Sequence, residues 1–388
     1  MEENKNINND IVEIERSEKR PFFSIIIPCY NTPQQYIREL LFSIIDGGCK
    51  DELEVIITDG KSTDTSYQDE VKKFEEESGI PVTYVTMPDV NEDGVELVNC
   101  PGNTREYGVR AARGQWITFI DHDDVYLKDT FTKVKELIEE TKEEYFVASH
   151  ILQVDPLQDN LVIQEIQFAT NWMHGKFYNL DNFWKANDLH FKTNLKANED
   201  IYVSNRVHTI LHLLGKHEVA WLHDFTYVWR AWPDSTSHLQ YSDELNYMEY
   251  YFYDYIDATY NVHVSEYEKQ LEKENKEMCE ENKKYFIKLQ ADSILYQFFY
   301  LQSFKFFNRN WILNHELLVK KNIREFYKRF NLTPGDLIKM ACELLDNDDV
   351  RDGGMATKLW YNAVRYNVTI SCGNFIETDN FIQFVNNV

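Results

Sequence analysis

The feature that most constrains the fold is an alternation of short apolar runs and amphipathic segments between residues 22 and 120. The apolar runs are continuous and rich in β-branched residues, as expected of strands covered on both faces. The segments between them are helical in pattern, most clearly in PQQYIRELLFSIIDGG. The runs are FFSIIIP, LEVIIT, PVTYVTM and QWITFI. This alternation predicts an α/β fold, with a mainly parallel sheet and helices on both of its faces.

The length of the chain predicts more than one structural unit. Its 388 residues exceed the range of about 100 to 200 that is usual for a single core. Residues 1–20 are charged and lack apolar periodicity, so we expect a flexible leader there. The α/β pattern is expected to fill residues 21–240, with further strands near YFVASHILQV and LVIQEIQF. Helical patterns follow and predict a C-terminal α-helical domain over residues 241–388.

The composition excludes several classes of protein. An apolar fraction of 43% excludes wholesale disorder, and a formal net charge of −25 argues against general adhesion to nucleic acid or anionic lipid. The six cysteines lie far apart, without the C-x-x-C spacing of a zinc knuckle. The acidic start differs from a secretory signal, and no run approaches the roughly 20 apolar residues of a membrane span. We therefore expect a cytoplasmic protein without an integral membrane segment.

Polar residues follow three of the predicted strands. They occupy positions 29–32 after the first strand, 59–64 after the second and 121–124 after the fourth. Because the carboxyl ends of parallel strands lie at one edge of a sheet, these residues are expected to surround a single crevice. The sequence therefore places the candidate ligand site at this edge.

The last of these positions is unusually acidic. Asp121, Asp123 and Asp124 crowd one strand end and repel one another unless a cation neutralises them. Mg²⁺ and Mn²⁺ prefer oxygen ligands, and a diphosphate would complete the coordination shell. The alternative is an acidic turn that caps a helix beginning near Tyr126. These residues alone leave both interpretations open.

Four motifs occur in order at the strand and helix boundaries that face the crevice. They are SIIIPCYN, IITDGKSTD, TREYG and FIDHDD. Together they resemble the family 2 glycosyltransferases of the GT-A fold, over about residues 22–237. The resemblance implies a metal-dependent, inverting enzyme that moves a sugar from a nucleotide-sugar donor, usually a UDP-sugar, to an acceptor hydroxyl. It also implies a GT-A, Rossmann-like sheet.

The same resemblance assigns donor-binding roles to individual residues. Pro28 and Tyr30 would line the uracil pocket, because an aromatic face suits a flat base. Asp59 would accept the uracil N3 proton. Arg105 would contact the diphosphate through charge-assisted hydrogen bonds. Arg230 would approach the phosphates, with stacking on Trp229 or Trp232 as an equally good alternative.

The metal and the catalytic base are assigned in the same way. Asp123 would be the main ligand of Mn²⁺ or Mg²⁺ in a DXD motif, while Asp121 would hold the ribose and support the metal. His238 is a further candidate metal ligand. The pair Glu199 and Asp200 precedes a helical run, and Asp200 would be the general base on the acceptor hydroxyl. Without the other motifs, the pair would be interpreted as a helix cap.

The acceptor is the least constrained part of the prediction. Trp172, His174 and Lys176 resemble the variable acceptor-side segment of these enzymes, although a core aromatic cluster would give the same pattern. A saccharide is the expected acceptor. One alternative is the same chemistry on a hydroxylated base in DNA, as in viral DNA glycosylation, and another is a non-catalytic nucleotide-sugar-binding scaffold.

Overall fold

A computed structural model describes most of the chain, which divides into two compact units. One unit is Met1–Asn194 with Glu218–Leu239, and the other is Leu195–His217 with Gln240–Val388. The predicted leader falls outside the described residues except for residues 19 and 20. The described residues are 19–167, 172–216, 220–233, 265, 268, 269, 271, 279–303, 309–346 and 383–388.

The four apolar runs of the sequence form four adjacent parallel strands, in the order β3-β2-β1-β4. Every residue of β1, β2 and β4 is buried, which explains why these runs are continuously apolar and do not alternate. The register places Cys29 opposite Asp59, so the first two polar loops leave the sheet side by side. The strands are β1 (Phe23–Cys29), β2 (Leu53–Asp59), β3 (Val82–Thr86) and β4 (Trp116–Phe119).

Helices connect these strands and cover the sheet. In α1, Ile37, Leu40, Leu41 and Ile44 recur at helical spacing and are buried against the sheet core. The start of α3 has a proline at its first position, where no intrahelical hydrogen bond is lost. The helices of this part are α1 (Gln34–Asp46), α2 (Tyr67–Ser78), α3 (Pro101–Ala111) and α4 (Thr130–Thr141).

The second half of the sheet continues from β4 in the order β8-β6-β9-β5, with β7 paired to β6. Two antiparallel pairings connect β4 to β6, and β9 is parallel to β6, so six of the nine strands run in the same direction. The expected mainly parallel sheet with flanking helices is confirmed. The strands are β5 (Val125–Tyr126), β6 (Phe146–Asp155), β7 (Leu161–Ile166), β8 (Lys176–Asn179) and β9 (Ala220–Arg230).

One local expectation, the start of the helix after the acidic loop, differs from the structure. Tyr126 lies in β5, and the helix that was expected to begin near it starts at Thr130. Tyr126 is instead paired with Tyr227 of β9, a contact about 100 residues away in the chain that no local pattern indicates. The acidic loop therefore leads from one strand into another.

The helical unit contains α5 (Glu199–Leu213), α6 (Glu280–Ser303), α7 (Arg309–Phe330) and α8 (Pro334–Asp346). Its core brings together Phe286, Ile294 and Phe298 of α6 with Val319, Ile323 and Phe326 of α7. The predicted C-terminal helices are thus confirmed, whereas the boundary at residue 240 stays a prediction. Among the helices in the described part of the chain, none is both long and apolar enough to span a membrane.

A buried carboxylate joins β1, β2 and the loop after α3. Glu54 is 1% exposed and accepts hydrogen bonds from Ser24 Oγ at 2.6 Å and from the Arg113 backbone N–H at 2.7 Å. The Arg113 guanidinium adds two more, from Nε at 3.0 Å and Nη2 at 2.9 Å. Because several donors converge on one carboxylate, the charge is well solvated by protein in spite of its burial.

Glu54→Gln should lower the free energy of unfolding by about 2 to 4 kcal/mol, because an amide N–H₂ would replace one of the acceptor oxygens facing these donors. Urea denaturation would measure the change. Glu139→Gln is the matched control, since Glu139 is largely exposed and its 3.7 Å pair with Lys135 is a surface contact. Equal stabilities for the two variants would contradict a structural role for the Glu54 network.

Candidate active site

The loops after β1 and β2 are tied to each other at the carboxyl edge of the sheet. Asn31 has a positive φ of 48°, a conformation that asparagine tolerates well. Its side-chain oxygen accepts hydrogen bonds from the backbone N–H groups of Thr63 at 2.8 Å and Asp64 at 3.0 Å. Its own N–H donates to Ser62 Oγ at 2.8 Å. Next to these hydrogen bonds, the Tyr30 side chain is 48% exposed. Its ring is therefore accessible for stacking.

Asp59 lies at the end of β2 and is buried. Its carboxylate accepts from the Ser62 N–H at 2.7 Å and from the Tyr67 hydroxyl. Burial raises the pKa of Tyr67 well above its usual value, so this hydroxyl stays protonated and donates. Each carboxylate oxygen can accept more than one hydrogen bond, so Asp59 keeps acceptor capacity for a further donor.

Asp121 begins the acidic loop and is held by the side chains of Arg105 and His174. Its Oδ1 accepts from Arg105 Nη2 at 2.5 Å, and its Oδ2 lies 3.3 Å from His174 Nε2. Burial alone would raise the pKa of Asp121, but the Arg105 guanidinium and the His174 imidazole together hold it well below its usual range. Asp121 is therefore a fixed negative charge.

The pKa of Asp124 is shifted in the opposite direction to that of Asp121. It is 1% exposed, and its carboxylate accepts from the Tyr227 hydroxyl at 2.6 Å and from the Arg230 N–H at 2.8 Å. Burial, followed by the neighbouring Asp123 and Asp121 charges, raises the pKa of Asp124 to about 8. Both oxygens are engaged by β9, so Asp124 attaches the acidic loop to that strand.

Asp123 differs from its two neighbours because no side chain in the described part of the chain pairs with its carboxylate. Burial raises the pKa of Asp123, and the Asp121 charge adds to this effect. Its main-chain carbonyl accepts from Arg230 Nε and, at 3.4 Å, from Trp232 Nε1. The peptide is therefore fixed while the carboxylate remains available.

The local donor set fits a divalent cation. Ligand atoms of Asp121, Asp124 and His174 all lie within 4.8 Å of one another. Among the described residues this group does not include Asp123, whose place as the main ligand stays a prediction. Carboxylate oxygens suit Mg²⁺ and Mn²⁺, and an imidazole nitrogen suits Mn²⁺ better than Mg²⁺. A bound cation would also relieve the repulsion that raises the pKa values of Asp123 and Asp124.

Arg230 is held by protein groups on several sides. Its guanidinium forms an ion pair with Glu39 of α1, and its Cζ lies 5.5 Å from the ring centroids of both Tyr36 and Trp232. Tyr36 and Trp232 are themselves stacked, with centroids 4.7 Å apart. Arg230 thus stacks on Trp232, which was one of the two alternatives for this residue. It also connects α1 to the Asp123 peptide.

Two of the expected acceptor residues, Trp172 and His174, pack against aromatic side chains of β9. The His174 ring is stacked on Tyr227 at 4.8 Å, and Trp172 packs edge-on against Trp229 at 5.1 Å. Lys176 is buried in β8. The sequence did not reveal that His174 contacts Asp121 or that Tyr227 supports Asp124, because both contacts join distant segments.

The remaining candidates are placed less directly. The Pro28 carbonyl lies 3.2 Å from His122 Nδ1, which links the first loop to the acidic loop. Glu199 and Asp200 form the first turn of α5 and belong to the helical unit, where acidic side chains favour the helix N-terminus. Their role in catalysis stays a prediction, and His238 lies outside the described residues.

Part of the chain is similar to a known family of proteins. Residues 24–195 match the family model described as glycosyl transferase family 2. The chain carries a family 2 glycosyltransferase domain. Over 119 residues it is 33% identical to the poly(ribitol-phosphate) beta-N-acetylglucosaminyltransferase TarS of Staphylococcus aureus. That alignment covers 30% of this chain and 19% of TarS, so the chain spans about a fifth of that relative's length.

Solved structures of TarS residues 1–349 share the fold. The complex with UDP superposes with a TM-score of 0.56 and 18% identity, covering 92% of this chain and 93% of that one. The complex with UDP-GlcNAc gives a TM-score of 0.52 and 19% identity, with the same coverage. The GT-A architecture expected for the family 2 domain is confirmed.

Proposed function

We propose that this protein is a divalent-metal-dependent, inverting glycosyltransferase that moves a sugar from a UDP-sugar to an acceptor hydroxyl. The observation that carries the proposal is that the three carboxylates of the acidic loop differ in their partners. Asp121 is held anionic by Arg105, Asp124 is bound to β9, and the Asp123 carboxylate has no side-chain partner among the described residues. A family 2 domain with one available carboxylate at this edge is equipped for a metal-bound diphosphate.

The donor would bind in the crevice formed by the three polar loops at positions 29–32, 59–64 and 121–124. Tyr30 would stack on the uracil, with Pro28 beside it, and Asp59 would accept the N3 proton. The Arg105 guanidinium would lie near the diphosphate and share its charge with Asp121. TarS has been solved with UDP and with UDP-GlcNAc, which makes UDP-GlcNAc the first donor to test.

The chemistry follows from where charge develops. Asp200 would take the proton of the acceptor hydroxyl as its oxygen forms a bond to the anomeric carbon, with Glu199 orienting the first turn of α5. The bond from that carbon to the diphosphate breaks in the same displacement, which inverts the anomeric centre. A cation held mainly by Asp123, with Asp121 and His238 in support, would stabilise the charge that grows on the departing UDP.

The acceptor is proposed to be a hydroxyl of a saccharide or polyol. TarS is named for its action on poly(ribitol-phosphate), a polymer of this chemical class. Trp172, which is only partly buried, would offer an aromatic face for the C–H surface of such an acceptor, with His174 and Lys176 in the same segment.

UDP release across a panel of UDP-sugars and acceptors tests the proposal, with mass analysis and NMR of the product. We expect transfer with inverted configuration, and Asp200→Asn should lower kcat by about 10² to 10⁴. Asp93→Asn, in an exposed loop, is the matched control. Transfer only to hydroxylated-base DNA would support the nucleobase alternative, and no transfer with any donor would support the scaffold.

A further inference from the structure

One face of α7 is exposed along its length and has a distinct chemical pattern. Leu313, Leu317, Lys321, Arg324 and Lys328 are all exposed, at successive spacings of four, four, three and four residues. At 3.6 residues per turn they fall within a sector of about 80°. We call these five residues the outer face of α7.

The opposite side of α7 anchors the helix in the helical unit. Val319, Ile323 and Phe326 are fully buried in the core of that unit. Arg324 Nη1 also donates to the main-chain oxygen of Val388 at 3.2 Å. The outer face is therefore presented by a helix whose orientation within its own unit is fixed.

The charge of α7 is opposite to that of the whole chain. The helix carries six Lys and Arg residues and two Glu residues, in a protein whose formal net charge is −25. Both glutamates lie outside the outer face: Glu316 pairs with Lys320 at 2.7 Å, and Glu325 lies 3.8 Å from Lys321. Lys320 is half-buried and is not part of the outer face, and the exposed 3.8 Å pair of Glu325 with Lys321 is weak, so the cations of the outer face remain available to an anionic partner.

The two leucines indicate what kind of anionic partner fits. Leu313 is 47% exposed and Leu317 is 61% exposed, and they occupy the two turns before the cations on the same face. A soluble polyanion would contact the cations and would leave the two leucines exposed to water. At the surface of a bilayer, leucines enter the boundary of the acyl chains while Lys and Arg contact anionic headgroups.

We propose that the outer face of α7 is a docking surface for the anionic surface of a lipid bilayer. The acidic remainder of the chain is repelled by such a surface, so attachment would be peripheral and confined to this face. A single face with three cations and two leucines gives reversible binding that weakens with salt. The inference does not depend on the proposed glycosyl transfer.

Sedimentation of the full chain with vesicles tests the proposal. Wild type should bind phosphatidylcholine vesicles that contain phosphatidylglycerol and should not bind pure phosphatidylcholine vesicles. Each cation removed should weaken binding about fivefold, so the triple variant Lys321→Gln, Arg324→Gln, Lys328→Gln should lose about 100-fold. Leu317→Asn should weaken binding several-fold while the salt dependence remains.

The matched control makes the same change of charge elsewhere. Lys72→Gln, Lys128→Gln and Lys142→Gln together remove three exposed lysines of the other unit and should leave vesicle binding unchanged. Thermal melting checks that all variants fold. Wild type that ignores anionic vesicles, or a triple variant that binds as wild type does, would overturn the proposal. The proposal would also be overturned if wild type bound heparin, a soluble polyanion, but no vesicles, and if the triple variant no longer bound heparin.

Discussion

Asp123→Asn should abolish the metal-dependent part of UDP binding. The Asp121 carboxylate is already occupied by Arg105 and His174, and that of Asp124 by Tyr227 and the Arg230 N–H. Asp123 therefore supplies the carboxylate with the greatest freedom to coordinate a cation. Replacing it with a neutral amide should weaken the binding of UDP with Mn²⁺ by about 10² or more. Metal sites lose affinity by up to about this factor when even a residue that only orients a ligand is changed.

Isothermal titration of UDP with and without Mn²⁺ separates this effect from nucleotide binding alone. If the Tyr30 and Asp59 loops bind the base as proposed, the variant should retain a weak, metal-independent affinity for UDP. Asp129→Asn is the matched control, because Asp129 is an exposed aspartate six residues away whose φ of 62° suits asparagine equally well. Metal-dependent binding that survives in Asp123→Asn would remove this residue from the cation site.

The part of the fold that could be predicted is the part whose sequence pattern is local. β1, β2 and β4 are buried on both faces, so each appears as a continuous apolar run, and their shared carboxyl edge follows from their parallel order. The grouping of the Asn31, Asp59 and Asp121 loops required no more information than this.

The rest of the site depends on contacts between distant segments. β8 is a four-residue strand within an aromatic, histidine-rich stretch, and it joins the sheet through pairings with both β4 and β6. His174 reaches Asp121 because β8 follows it, and Tyr227 reaches Asp124 because β9 lies beside β5. No spacing within the sequence encodes these pairs, whereas the neighbouring tryptophans did indicate a stacked Arg230 guanidinium, which the structure has with Trp232.

Arg105→Gln is expected to have the largest effect on stability. The Arg105 side chain is 5% exposed and forms the shorter of the two contacts that neutralise Asp121. Removing one partner of a buried ion pair leaves an uncompensated charge, which costs about 3 to 5 kcal/mol. Arg110→Gln, on the exposed side of the same helix, removes surface pairs with Glu106 and Glu92 and should cost less than about 1 kcal/mol.

The pH dependence of this deficit distinguishes a charge effect from lost packing. In wild type the pKa of Asp121 lies well below its usual range, so its stabilising contribution is complete above pH ~4 and is lost only on further acidification. Without Arg105, burial would be opposed by His174 alone and would raise the pKa of Asp121, so the variant would take up a proton as the pH falls from 8 to 5. The deficit in unfolding free energy, measured by urea denaturation with a chelator present, should therefore be greatest at pH 8 and shrink by pH 5. A deficit that stays constant over this range would assign the role of Arg105 to packing, because the loss of side-chain contacts does not depend on the protonation of Asp121.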